Sequence, residues 1–377
     1  MGDGDRESPA PLRASMTRLG ERIAELIAAD SPIPVSEYMA LCLFDAQYGY
    51  YTIREPFGAD GDFITAPEIS QMFGELVAAW LYQAWLANDR PMPATIAEIG
   101  PGRGTLMKDM LRTWSRIDPA FFNAANFALV ETSPRLAGIQ RDTLGPAAAR
   151  ITWHESVATL GDAPLFIVGN ELFDAIPVRQ FVQTANGWRE RMVGLDENGF
   201  LAFFAGMASL DPALLPPGAA SAPQGSILEL APARNALMAE IAARISARGG
   251  AGLFIDYGYL QPGVGDTLQA LKDHTFDDIL AHPGEADLTS HVDFAALSDV
   301  AQAHGLQAMT ATQGSFLLAM GLLERAGNLG ANADEAGRDA ISAQVERLAG
   351  PNQMGDLFKV LAVLPEDVED VAFPAGD

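Results

Sequence analysis

A single cysteine, Cys42, stands in a chain of 377 residues. It has no partner for an internal disulfide, which excludes a disulfide-stapled secreted scaffold and suits a reducing compartment. Histidine is scarce too: five scattered residues and one thiol make a poor ligand set for structural zinc, and no resident metal is expected. Basic residues are outnumbered, 24 Lys and Arg against 49 Asp and Glu, for a formal charge of −25. A phosphate-binding surface needs the opposite sign, which argues against nucleic acid as a partner. The acidic excess serves solubility or a basic protein partner. No apolar run reaches bilayer-spanning length, so no membrane insertion is expected. The opening "MGDGDRESPAPLRASM" lacks the order of a secretory signal and fits a mitochondrial presequence poorly. The expectation is a cytoplasmic protein.

What the chain does have is apolar periodicity. Hydrophobic residues make up 49% of it, enough for a sizeable core. Three- and four-residue spacing in "LRASMTRLGERIAELIAAD", in "PVSEYMALCLFDAQYGYY" (with Ser36 as N-cap) and in "SQMFGELVAAWLYQAWLAND" predicts helices over most of residues 1–93. A glycine-bearing loop, 52–68, separates the last two. From residue 94 onward, short apolar strands alternate with helices, the pattern of a parallel α/β sheet. "TIAEIG", "NFALVET", "RITWHE" and "PLFIVGNELF" supply four strands. The alternation then breaks. "RQFVQTANGWRERMVGLDENGFLAFFAG" reads as a β-meander with turns at 185–187 and 197–199. A proline- and alanine-rich loop covers 208–224, and a helix at about 232–247 leads to a fifth strand, "AGLFIDYGY". A helix at 294–304, a strand near "GLQAMTAT", a helical segment at about 313–349 and a last strand, "DLFKVLAVL", follow. The expected organisation is a helical region, 1–93, and an α/β core, 94–377, with insertions at about 179–250 and 313–350. Insertions after the fourth strand are well placed to cover the carboxyl edge of the sheet, where α/β ligands bind.

Between the first strand and its helix lies "AEIGPGRGTL". Gly100, Gly102 and Gly104 can take conformations closed to other residues and present no Cβ to a ligand. A dinucleotide fingerprint needs G-x-G-x-x-G, but position 105 is Thr. Glu98, just before the loop, repels a phosphate and suits a cationic or amino-bearing ligand. Glu131, closing the second strand, can accept both hydroxyls of a ribose. Glu155 or Ser156 in "WHESV" falls near an adenine at the third strand's end. A glycine loop and a ribose acid without a phosphate site point to S-adenosylmethionine, which carries adenosine and a charged sulfonium.

Strand four ends in "VGNELFDAIPV", which groups Asn170, Glu171 and Asp174 beside strand one in a doubly wound sheet. Carboxylates there can fork onto a guanidinium, localise its charge and take up the proton released when its nitrogen is methylated. In-line positioning would supply most of the rate gain. Helix capping by Asn170 and Asp174 is the alternative role, and the two can coexist. Asp256 in "FIDYGY" is expected to cap the loop that follows it.

The segments "GDFITAPEISQMFGEL", "EIGPGRGTLMKDMLR", "NELFDAIPVRQF", "FIDYGY", "ADLTSHVDF" and "MGDLFKVLAV" resemble the MidA family from about Ser36 to Leu364. These are S-adenosylmethionine-dependent methyltransferases whose mitochondrial members help assemble respiratory complex I. The resemblance implies a class I, Rossmann-like, seven-stranded α/β core with "DLFKVLAVL" as its antiparallel seventh strand, plus the N-terminal helical region and the inserted segments. It implies methylation of a protein arginine, with a complex I subunit as the mitochondrial substrate. It maps cofactor binding onto Gly100, Gly102, Gly104 and Glu131, and draws Thr65, Pro67 and Glu68 into the cofactor or substrate pocket. Gly169, Leu172 and His291 depart from the family's usual alanine, phenylalanine and acidic variant, which bears on the shape of the substrate pocket; a structural or surface role is expected for His291. The missing presequence fits a bacterial member. Two other readings stand beside this enzyme: a non-catalytic assembly or chaperone factor that binds S-adenosylmethionine, and a nicotinamide-dependent oxidoreductase, against which the loop spacing and Glu98 speak. Glu171 and Asp174 favour the methyltransferase. Periodicity leaves open whether the chain forms a dimer.

Overall fold

The computed structural model describes residues 16–53, 65–369 and 371–374, so most of the loop expected at 52–68 lies outside the described residues. The central sheet is built from β1 (Thr95–Ile99), β2 (Asn126–Val130), β3 (Ile151–His154), β4 (Leu165–Asn170), β5 (Gly250–Tyr259), β6 (Leu306–Thr312) and β7 (Phe358–Pro365). Every residue of β1 and β4 is buried. Strands covered on both faces read as apolar runs rather than alternation, as "LFIVG" does; in "TIAEI" the run is broken by Glu98, a buried acid.

In space the strands run β6-β7-β5-β4-β1-β2-β3. β1 to β5 are parallel, and β7 lies antiparallel between β5 and β6, as expected of the last strand. The chain steps outward from β1 to β3, then returns to β4 and β5 on the other side of β1. That reversal opens a crevice between the carboxyl ends of β1 and β4. Register fixes what meets there. Ile99 lies opposite both Val130 and Gly169, so Gly100, Glu131 and Asn170 leave three neighbouring strand ends at one level.

Helices cover the sheet. Gln71–Ala87 starts at Ser70, whose Oγ accepts from the Met72 amide. It lies so close to the helix Thr105–Ile117 that a Cβ on Gly74 would stand 2.7 Å from the Asp109 Cβ. The pair carries Phe73, Trp80, Met110 and Trp114 into the larger hydrophobic cluster. The late helical segment resolves into Gln313–Ala319, Leu322–Gly330 and Glu335–Ala349. Its Arg325 pairs with Glu75 at 2.6 Å, tying it to the same face.

The β-meander is Arg179–Thr184, Gly187–Leu195 and Leu201–Ser209, with left-handed Gly187 and Gly199 at its turns. Two short strands that periodicity did not mark, Ile33–Pro34 and Ile227–Leu230, extend it to five. Ile33 pairs with Val193, and the helices Arg18–Ala29 and Val35–Phe44 share one hydrophobic cluster with the meander. One expectation needs correction: Pro34, not Ser36, occupies the N-cap of Val35–Phe44, without a side-chain hydrogen bond. The stretch 269–289, for which the sequence pattern predicts no element, forms a small antiparallel sheet of Gln269–Lys272, Thr275–Asp277 and Asp287–Thr289. Strands of three or four residues are too short for a period of two to register. Among the described residues no helix is long and apolar enough to cross a membrane.

Candidate active site

One wall of the crevice is the turn out of β1. Gly100, Gly102 and Gly104 have φ of +65°, +50° and +82°, a region where a Cβ is strained. Gly104 serves as N-cap of Thr105–Ile117. Gly100 has a second reason to be glycine: a Cβ there would come 2.9 Å from Leu172 Cδ1. The bare backbone thus makes room for Leu172, itself part of the cleft wall, and not only for a ligand.

The second wall begins at Glu131, the first residue beyond β2. Its Oε1 accepts from the Ser133 amide at 2.7 Å and its Oε2 from Gln140 Nε2 at 2.9 Å. Each carboxylate oxygen keeps further acceptor capacity, and the group lines a cleft of about 700 Å³. Burial raises its pKa, and the Ser133 amide and Gln140 draw it back down. Glu155 is exposed at the same cleft's rim. Ser156 lines it too, its Oγ accepting from the Ala158 amide at 3.2 Å. Phe44 and Tyr51 close the opposite side, their rings stacked 5.8 Å apart. The sequence shows them as an aromatic cluster after the second helix; nothing in their spacing places them over a cleft formed by strands a hundred residues away.

The third wall is the end of β4. Glu171 is left-handed at φ +50°, a strained setting for a residue with a side chain. Its amide donates to the Ile255 carbonyl at 2.8 Å. Its Oε1 accepts from Asn170 Nδ2 at 3.0 Å and from the Ala66 amide at 3.3 Å, so the segment 65–68 closes over the strand end. Beneath it lies a small compartment of about 50 Å³ that shares Gly100, Gly102 and Glu171 with the cleft. Thr65, Pro67, Glu68, Glu98 and Asn170 line it. Three oxygens, Glu68 Oε2, Glu98 Oε2 and Asn170 Oδ1, are buried there without a hydrogen-bond partner. Burial pushes the Glu98 carboxyl up to about 8. Burial, with Asp174 nearby, pushes Glu171 up to about 8 as well. Glu68 is raised by burial and drawn back by Arg103, 3.8 Å away.

Asp174 lines neither space. It lies behind them, its Oδ2 accepting from the Tyr257 hydroxyl at 2.8 Å and its Oδ1 from the Ala175 amide at 2.8 Å. Residues 171–178 contain no helix, so Asn170 and Asp174 cap none. Asp256 holds that turn instead, its Oδ2 accepting from the Phe173 and Asp174 amides at 2.9 and 3.2 Å. Its capping role therefore reaches back across the sheet as well as to Tyr257, whose amide it accepts at 2.9 Å. His291 packs edge-on to Tyr257, 5.4 Å between centroids, outside both spaces.

The donor set suits one kind of ligand. The cleft lies within the usual range of small-molecule sites, about 300–1,000 Å³. Glu131 offers carboxylate acceptors of the kind a ribose needs, and the glycine turn leads into a compartment of bare acceptor oxygens rather than phosphate-binding donors. That fits S-adenosylmethionine, with an ammonium and a sulfonium, and does not fit a pyrophosphate.

Residues 76–312 match a family described as "Putative S-adenosyl-L-methionine-dependent methyltransferase". Zebrafish (Danio rerio) "Protein arginine methyltransferase NDUFAF7, mitochondrial" is 33% identical over 367 residues, 91% of this chain and 86% of its own. The human protein of the same name is 32% identical over 384 residues, 94% and 85% of the two chains. Among solved structures, a COG1565 superfamily member from Burkholderia thailandensis, bound to S-adenosyl-homocysteine, superposes with a TM-score of 0.81 at 28% identity, covering 94% of this chain and 93% of the other.

Proposed function

The chain belongs to the family of S-adenosyl-L-methionine-dependent methyltransferases, and from that premise we propose that it methylates an arginine nitrogen on a protein, with the end of β4 as the guanidinium site. S-adenosylmethionine, when bound, supplies a methyl group activated on a positively charged sulfur. Gly100, Gly102 and Gly104 would let it lie against backbone, Glu131 would accept its ribose hydroxyls, Glu98 would face its amino group, and Glu155 and Ser156 would border its adenine. Thr65 and Pro67 would wall the junction between cofactor and substrate.

The observation that carries the arginine reading is the set of unpartnered acceptors. With the Glu98 oxygen left to the cofactor's amino group, Glu68 Oε2 and Asn170 Oδ1 are buried beside Glu171, and a buried acceptor without a donor is costly. A guanidinium offers five N–H donors in a plane and keeps its charge. Glu171 and Glu68 would fork onto it, and Asn170 would accept one further N–H. A cation beside Glu171 lowers a pKa that burial has raised. The resulting carboxylate then takes the proton that the nitrogen gives up. Burial raises the pKa of Asp174 and the Tyr257 hydroxyl draws it back down; when ionised it would strengthen the basicity of Glu171 in front of it. The names of the zebrafish and human relatives support arginine as the acceptor.

We further propose a respiratory complex I subunit as the substrate, on the MidA resemblance, and a cytoplasmic setting, on the one buried, unpaired cysteine. The test is to incubate the full chain with labelled S-adenosylmethionine and complex I subunits, then to map the label by mass spectrometry. Methylarginine in wild type and none with Glu171→Gln supports the reading. Label on lysine, or none on protein while the cofactor binds, overturns it.

A further inference from the structure

We propose that Gln140 is a positioning residue for the cofactor, clamping Glu131 to the glycine turn so that the ribose acceptor is held in one orientation. The inference rests on Glu131 as the ribose acceptor. Gln140 sits on the helix Pro134–Leu144 with no exposed surface. Its Nε2 donates to the Gly102 carbonyl at 2.9 Å and to Glu131 Oε2 at 2.9 Å, and its Oε1 accepts from Trp153 Nε1 at 3.0 Å.

The three partners settle which way the amide faces. A backbone carbonyl and a carboxylate only accept, and an indole N–H only donates. Turning the amide over would break all three bonds at once. One side chain therefore joins the turn after β1, the acid after β2 and the indole of β3. Arg141 lies over the Trp153 ring at 4.4 Å and holds the indole from its other side. Without Gln140, Glu131 keeps only the amides of the residues just after it, Ser133 at 2.7 Å on Oε1 and Thr132, and the carboxylate loses its tie to the glycine turn. Filling a fully buried position with an amide is unfavourable compared with a leucine or methionine of similar volume unless its hydrogen bonds are needed. Here every bond it makes ends on the cofactor walls or on the strand beside them.

The experiment titrates wild type and Gln140→Met with S-adenosyl-homocysteine and with its 2′,3′-dideoxy analogue. Two hydroxyls on a charged acceptor should make wild type prefer the hydroxylated ligand by about a hundredfold. In Gln140→Met we expect affinity for S-adenosyl-homocysteine to fall about thirtyfold or more, and the preference to shrink to within about threefold. A residue that merely supports the fold would weaken both ligands by one factor and leave the ratio intact; that result overturns the proposal. A wild-type ratio near one removes Glu131 from the ribose, and the proposal goes with it, the fault then lying in the underlying assignment. Should Gln140→Met not fold, Gln140→Glu is nearly isosteric and sets an acceptor against Gly102 and Glu131; its ratio is read in the same way.

Discussion

The wall around Glu131 and the glycine turn is complete in itself; the compartment at the end of β4, which takes in Glu98 from β1 and Glu68 from the segment over it, is not. On the first, Gln140 and Ser133 give Glu131 and the glycine turn their hydrogen bonds, Trp153 donates to Gln140 in turn, and the strained backbone falls on glycines. On the second, three buried oxygens lack partners, two carboxyls titrate at about 8, and the left-handed residue is a glutamate. A finished wall recognises a ligand of fixed shape by preorganisation. An unfinished one is stabilised only when something rich in donors and positive charge arrives, so its strain is concentrated where chemistry is needed.

The sharpest break of this contrast is Glu171→Gln. The shape and the left-handed backbone remain, while the base and half of the proposed fork are lost. We expect turnover to fall roughly 10²- to 10⁴-fold, with affinity for S-adenosyl-homocysteine changed less than about threefold, read by a methylation assay beside calorimetry. Equal turnover in the variant would detach the β4 wall from catalysis.

Next is Gly100→Val, which spoils the finished wall. The new Cβ must push Leu172 from 2.9 Å into the cleft while holding φ at +65°. Cofactor affinity should drop tenfold or more, since strain alone is worth about 1–2 kcal/mol. Gly104→Ala is the control: at φ +82° its Cβ meets Gln140 at an ordinary 3.5 Å, so it carries the strain without the collision. If Gly104→Ala proves the more damaging, crowding of Leu172 is not what Gly100 prevents. Of similar size is Glu131→Ala, expected to weaken the cofactor by about 1–3 kcal/mol in calorimetry, with turnover at saturating cofactor nearly unchanged.

The two walls were also unequally legible. The core strands, the glycine turn and Glu131 follow from short-range signals: apolar runs bounded by glycine, and an acid at a strand end; the antiparallel last strand is implied by family resemblance. Glu171 was visible for the same reason. Its left-handed backbone was not, because no local rule puts a glutamate there; the bond from its amide to Ile255 and the contact with Ala66, 105 positions away, hold it. Thr65, Pro67 and Glu68 entered through family resemblance alone, since a segment that folds over a distant strand end leaves no periodic trace. Gln140 escaped altogether. It is one more polar residue on a helix until the fold turns it inward against Gly102 and Glu131.

The smallest effect separates the walls by pH. Glu98 and Glu171 titrate at about 8 in the folded chain against an ordinary 4.5. A raised folded pKa means the folded state holds the proton more tightly, so this stabilisation is full below 4.5 and is lost as pH rises through 8. The ligand-free protein should therefore melt lower at pH 9 than at pH 6, by roughly 5 °C. Glu171→Gln is neutral at both values and should decline less steeply, whereas Glu131→Gln, on the wall where hydrogen bonds offset burial, should track wild type more closely. An arginine peptide that pairs with ionised Glu171 should raise the melting temperature more at pH 9 than at pH 6. Parallel declines in all three proteins would mean that the β4 wall carries no special burden of buried carboxyls, and the contrast between the walls would rest on hydrogen bonding alone.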